Sequence, residues 1–212
     1  VELRVENPLL HLRAFAIPEF TKGISLMWLN QIVVFGAMLL VPLYLQNVVG
    51  LSSENTGLIM VPQAIASFLG MTIGGRIFDK FGTKAAVLPG FTLGALSLSL
   101  FSQIKPSSSL AFTLCAIVLL GLSQGLVNMQ VNNHALQSVP MKNISRVTPL
   151  TNEMMQVVNS FAIAFLTAFL SGQIKKQTGL SPLQANLTAF HHTFYLLLIF
   201  VSFGFILSLF LR

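Results

Sequence analysis

Amides placed at helical intervals inside apolar runs are the first residues here whose type and spacing could do chemistry. Gln124, Asn128 and Asn132 fall at i, i+4 and i+8, on one face of a helix. Asn152, Glu153, Gln156 and Asn159 lie within two turns of a second stripe, and Asn30 and Gln31 follow Trp28 in a third group. A polar side chain in an apolar medium must find a partner or line water. These groups therefore read as the wall of a polar cavity or as hydrogen bonds between neighbouring helices. Glu153 is the one acid within an apolar run, with Lys142 and Arg146 upstream of it. It could relay a proton or form an ion pair at a gate.

A charged turn is the most specific pattern. It reads Gly74-Gly75-Arg76-Ile77-Phe78-Asp79-Lys80-Phe81-Gly82-Thr83-Lys84, with Asp79 the single acid among three bases. Glycines at both ends suit a tight connection between antiparallel helices. Asp79 could accept from amides at the start of the next helix, or pair with Arg76 or Lys80. Such a latch would hold in one conformation and break in another; the plainer reading is an ordinary basic loop.

Other motifs are weaker. Gly121-Leu122-Ser123-Gln124-Gly125 matches the G-x-S-x-G pattern of serine hydrolases, but that pattern needs a strand-to-helix elbow, and here it sits within an apolar helical run. An intramembrane serine protease is thus a remote alternative. His191 and His192 have no acidic neighbours and read as a solvated pair, so no metal site is expected. The lone Cys115 excludes an internal disulfide.

The elements that must position these groups follow from composition. The 212 residues are 54% hydrophobic and 8% charged, with mean hydropathy +0.78. Soluble domains carry about 25% charged residues, so a soluble enzyme and a nucleic-acid-binding domain are excluded. Apolar runs of spanning length predict an all-α membrane protein with six spans: Gly23–Leu45, Thr56–Ile77, Ala85–Gln103, Leu110–Val131, Pro149–Gly172 and Thr193–Leu211. Residues 1–22 read as a cytoplasmic amphipathic linker, with Leu9, Leu12 and Phe15 near one face, ahead of a six-helix domain over 23–212. The start at Val1 suggests a segment of a longer polypeptide.

Alternating spans divide the bases unequally. Arg4, Arg13, Lys22, Arg76, Lys80, Lys84, Lys142, Arg146 and Arg212 fall on one side, and Lys105, Lys175 and Lys176 on the other. The excess of Lys and Arg on cytoplasmic loops then places both ends in the cytoplasm. Glycine pairs Gly70/Gly74, Gly90/Gly94 and Gly121/Gly125 mark three successive spans, where missing side chains let helices approach closely.

These residues resemble a known family. Gly75-x-x-x-Asp79-Lys80-x-Gly82-x-Lys84 is similar to the major facilitator superfamily loop motif G-x-x-x-D-[RK]-x-G-[RK]-[RK], which lies between the second and third helices of each six-helix half. Thr83 stands where that motif has a base. Asn7-Pro8-Leu9-Leu10-x-Leu12-Arg13-x-Phe15, Leu43-Tyr44-Leu45-Gln46-Asn47-Val48-x-Gly50-Leu51-Ser52, Gly57-Leu58-x-x-x-Pro62 and Thr151-Asn152-x-Met154-x-Gln156-Val157 resemble the C-terminal part of the fourteen-span drug:proton antiporter branch. The resemblance implies the last six spans of such a protein, folded as a three-plus-three inverted repeat.

It implies efflux of small amphipathic compounds across the plasma membrane, coupled to protons, with a missing N-terminal half as partner. It also implies that Gly75, Arg76, Asp79, Lys80, Gly82 and Lys84 act as a conformational gate. Asn30, Gln31, Asn128, Asn132, Asn152, Gln156 and Asn159 would line the substrate cavity, with Glu153 as relay or gate. No cofactor is implied. The branch departs from this chain at Gln130, Asn159, Ala162 and Met155, where proline, glycines and an arginine are common. A six-span scaffold or an oligomeric half-transporter without efflux activity is the main alternative.

Overall fold

The computed structural model describes residues 17–105, 108–177 and 181–211, apart from the side chains of Lys142, Asn143 and Arg146. Helices follow one another as α1 (Pro18–Asn47), α2 (Ser53–Phe81), α3 (Thr83–Phe101), α4 (Leu110–Gln137), α5 (Met141–Lys176) and α6 (Pro182–Leu209). Each contains a stretch long and apolar enough to cross a bilayer. The six expected spans are therefore present in number and order.

Their ends differ from the expected ones, because the helices outrun the apolar stretches. α1 starts at Pro18, within the segment read as linker, and α6 starts at Pro182 rather than Thr193. Residues 1–16 lie outside the described part, as do the side chains of Lys142 and Arg146 expected near Glu153. Capping accompanies the earlier starts of α6 and α2, whereas α1 begins at Pro18 without a side-chain cap. Ser181 accepts from the Gln184 amide at 3.4 Å, with Pro182 opening the helix, and Ser52 accepts from Asn55 at 3.2 Å.

Helix directions follow from contacts at the ends. Lys22 at the start of α1 donates to the Phe210 carbonyl just beyond α6 (3.2 Å), and Lys84 at the start of α3 donates to Leu209. Gly23 packs on Ala135 near the end of α4. Thus α1 and α3 run opposite to α4 and α6.

The neighbours form a set: α2 with α4 and α1 with α5, α3 with α4 and α6 with α1, α1 with α4 and α3 with α6. Exchanging α1 with α4, α2 with α5 and α3 with α6 returns the same set, each exchanged pair running in opposite senses. This is the relation an inverted three-plus-three repeat requires.

The repeat-related contacts are not equally close, for α2 meets α4 more extensively than α5 meets α1. A Cβ at Gly125 would overlap the Ser67 carbonyl, and one at Gly121 the Gln63 carbonyl. In return, a Cβ at Gly70 would stand 2.6 Å from the Leu122 carbonyl oxygen. α2 and α4 therefore meet backbone to backbone, where dispersion and weak Cα–H contacts act at short range. Gly90 and Gly94 of α3 meet Val127 and Ser123 on another face of α4. All three glycine pairs serve helix contact, as the sequence suggested.

At the far end, rings of α1, α3 and α6 close the bundle: Phe101 stacks on Phe194 with centroids 5.2 Å apart, beside buried Tyr44. The Tyr44 hydroxyl donates to the Ile104 carbonyl (2.7 Å), and His191 Nε2 lies 2.9 Å from the same oxygen. His191 is thus half-buried and bonded rather than solvated; His192 is exposed.

Candidate functional site

The turn after α2 is shorter than its sequence suggested. α2 runs to Phe81 and α3 starts at Thr83, so Gly82 alone connects them, with φ +82° and ψ 179°. Only glycine adopts that conformation readily, because a Cβ clashes with the backbone there. Arg76, Asp79 and Lys80 occupy the exposed last turns of α2, with the Lys80 ammonium 5.2 Å from the Phe81 ring. Among the described residues, no ion pair joins Asp79 to Arg76 or Lys80. Lys84 reaches the end of α6 instead.

Behind the turn, Gln130 is 1% exposed and wedged against Gly74. With its amide turned to satisfy both groups, the oxygen accepts from the Gly75 amide and the nitrogen donates to Leu126, each at 2.9 Å. Gly75 is thereby tied to α4, a link that helical spacing alone does not reveal. A second polar node lies at the same end. Glu19 holds Lys22 at 2.9 Å and stands 3.9 Å from His134 Nε2, and His134 Nδ1 lies 3.0 Å from the Thr83 hydroxyl.

The amide stripes separate into three surroundings. Gln124, Asn128 and Asn132 of α4 line a cavity of about 280 Å³ together with Ser67, Met71, Gly125 and Met129. A second cavity of about 280 Å³ adjoins it, sharing Ser67 and Gln124 and extending to Gln63, Met60, Ala64 of α2 and Val34, Met38 of α1. Where they join, Gln63 Nε2 donates to Gln124 Oε1 at 3.3 Å.

Asn30 and Gln31 are both buried, and Gln31 Nε2 donates to Asn159 Oδ1 at 3.3 Å, joining α1 to α5. Asn152 and Gln156 are exposed on α5. Glu153 points elsewhere: with Trp28, Met154, Val157 and Val158 it lines an apolar cavity of about 350 Å³ in the α1–α5 groove. The single stripe read on α5 therefore divides in two.

Sequence reading missed Gln63 and Ser67. The signal was present, since Gln63, Ser67, Gly70 and Gly74 fall at i, i+4, i+7 and i+11, so these polar residues extend the glycine face of α2.

A bundle of six spanning helices in an inverted repeat, with amides gathered in clefts near its middle, defines the architecture of a membrane transport domain. A family model described as Major Facilitator Superfamily matches residues 3–163. The chain belongs to that superfamily.

Relatives add detail. A lincomycin resistance protein of Listeria innocua is 30% identical over 220 residues, covering 100% of this chain and 46% of that protein. A lincomycin resistance protein of Bacillus subtilis is 26% identical over 170 residues, covering 80% of this chain and 36% of its own length. A multidrug resistance protein B homolog of Mycobacterium tuberculosis is 28% identical over 172 residues, covering 80% and 32%. The chain thus spans half or less of the curated relatives it matches. Membership in a transporter family sets the protease reading aside. Gly121–Gly125 lies inside α4, with Ser123 buried against Gly94.

Proposed function

We propose that this chain is the C-terminal six-helix half of a secondary transporter that exports small amphipathic compounds from the cell. One observation carries the reading. Asn128, Asn132, Asn152 and Gln156 are exposed on helices that otherwise have the composition of membrane spans. Amides on a spanning helix are costly against lipid, so this surface fits a water-filled cleft closed by a further set of helices. α2 and α5 border it, and only 17% of the most apolar stretch of each is buried. A missing N-terminal half would cover them, and rocking of one half on the other would open the cleft to either side.

The basic residues support an orientation with both ends in the cytoplasm of the plasma membrane. Lys22, Arg76, Lys80 and Lys84 gather at the end where α1 and α3 begin. Proton coupling is part of the proposal, with Glu153 as relay or gate. Gln31 and Asn159 belong to the cavity wall through their α1–α5 bond, and buried Asn30 is assigned to the same wall. Gly75, Arg76, Asp79, Lys80, Gly82 and Lys84 form a gate whose Asp79 engages a partner in another conformation or in the other half. The drug-resistance names of the relatives agree with this reading.

The test uses everted vesicles holding the full-length protein. An imposed proton gradient should drive accumulation of a fluorescent amphipath, and a protonophore should abolish it. Single cysteines at Lys80 and Lys105 should label from opposite sides. Absence of gradient-driven uptake would reject the transport reading, and labelling from one side would reject the topology.

A further inference from the structure

The Gln63–Gln124 pair is joined by one hydrogen bond where two are geometrically available to facing amides. Gln63 Nε2 donates to Gln124 Oε1, while Gln63 Oε1 and Gln124 Nε2 are buried with no hydrogen-bond partner among the described residues. Both residues lie well inside their helices, Gln63 in α2 and Gln124 in α4. A buried donor and acceptor left unpaired at such depth are costly. The pair therefore holds one acceptor, Gln63 Oε1, and one donor, Gln124 Nε2, that no other described residue satisfies. Turning both amides over exchanges the roles and again leaves one acceptor and one donor.

The surroundings narrow what would meet it. The two cavities meet at Gln124 and Ser67, and methionines flank the pair on both sides: Met38 and Met60 in one, Met71 and Met129 in the other. Unbranched thioether chains adapt to apolar groups of different shape. Among the described residues, no charged side chain lines either cavity. A cation bound there would find no counter-charge, and an anion no base. Glu153, the acid within a span, belongs to the separate α1–α5 groove.

We infer that the Gln63–Gln124 pair is a subsite for a neutral polar group that both donates and accepts, a carboxamide or a hydroxyl, on an otherwise apolar ligand. The ligand group inserts between the two side chains and takes the free donor and acceptor, and the apolar remainder lies against the methionines. A site built on buried polar groups discriminates against analogues that leave those groups unpaired. The inference rests on the export reading for the class of ligand and adds to it the chemistry selected at this spot.

Three probes of similar size test it with the purified full-length protein: an aryl primary carboxamide, its N,N-dimethyl analogue and a quaternary phosphonium. Equilibrium binding should favour the primary amide over the dimethyl amide by about tenfold. Gln63→Leu and Gln124→Leu should each bring that ratio close to one and weaken phosphonium binding less than binding of the primary amide. A ratio near one in the unaltered protein overturns the subsite, and that comparison needs no variant to fold. An unchanged ratio in both variants, or an equal loss of all three probes, also overturns it. Vesicles that export none of the probes while the binding contrast persists would reject the export reading and support the subsite. Export without the contrast would reject the subsite alone.

Discussion

Gln31 donates from Nε2 to Oδ1 of Asn159 across 3.3 Å, and this bond joins α1 to α5 beside the groove that Trp28 and Glu153 share. Interhelical hydrogen bonds of this kind are worth about 0.6 kcal/mol on average, because chains unfolded within the membrane also find partners. A double-mutant cycle with Gln31→Leu and Asn159→Leu should give a coupling of about that size in thermal unfolding of the full-length protein. Transport lost from either variant at unchanged melting temperature would assign the pair to the cavity. A coupling above about 2 kcal/mol would show that the bond is structural first.

The helix count was legible because lipid demands long apolar runs, and composition alone reports them. Helix ends were not, since a capped helix continues into the interface where polarity costs little. Ser181 and Pro182 carried that signal for α6, eleven positions before the expected start at Thr193. The faces of α4 were also legible from spacing. What faces them was not: periodicity places Gln124 on a stripe but does not say that Gln63 of α2 meets it. Glu153 shows the same limit, since one helical step of about 100° separates it from Asn152 and turns it into another groove.

Close approach of α2 and α4 makes a sharp contrast among glycines. Gly125→Ala places a methyl on the Ser67 carbonyl, which is backbone and cannot swing away. Overpacking of this kind costs about 1–3 kcal/mol. Gly172→Ala meets nothing within 4 Å and should be neutral or stabilising by about 0.5–1 kcal/mol, since alanine suits a helix better. Thermal melting of the two variants should move in opposite directions or by clearly unequal amounts. Equal shifts would mean that α2 and α4 do not pack through their glycines.

Gly82 and Asp79 test the turn in different ways. Gly82→Ala forces an L residue to φ +82° and should cost about 1–3 kcal/mol of strain. It should lower the melting temperature although no neighbour obstructs the new methyl. Asp79→Asn removes a charge from an exposed position and should leave melting unchanged. If Asp79 engages a partner in another conformation, loss of that contact should slow transport about tenfold or more. Unaltered transport by well-expressed Asp79→Asn would leave the turn a plain topology loop.

The wetness of the α4 stripe can be measured directly. Cys115 is a free, exposed cysteine, so Cys115→Ser is the starting background. Single cysteines then replace Asn128, Asn132 and Leu126. Asn128 and Asn132 are exposed along the cavity that Gln124 shares, whereas Leu126 is 6% exposed and packs among α2 and α3 glycines. A thiol reacts as thiolate, which forms poorly in lipid or in packed protein. Small hydrophilic thiol reagents should therefore modify Asn128→Cys and Asn132→Cys and spare Leu126→Cys. A transported amphipath should slow the two reactive positions by occupying the cleft, and should not alter the third. Reaction at Leu126→Cys as fast as at Asn128→Cys would mean that α4 is not held by the glycine contacts. Silence at both asparagine positions, with and without amphipath, would make the stripe a surface for helix packing and remove it from the transport path.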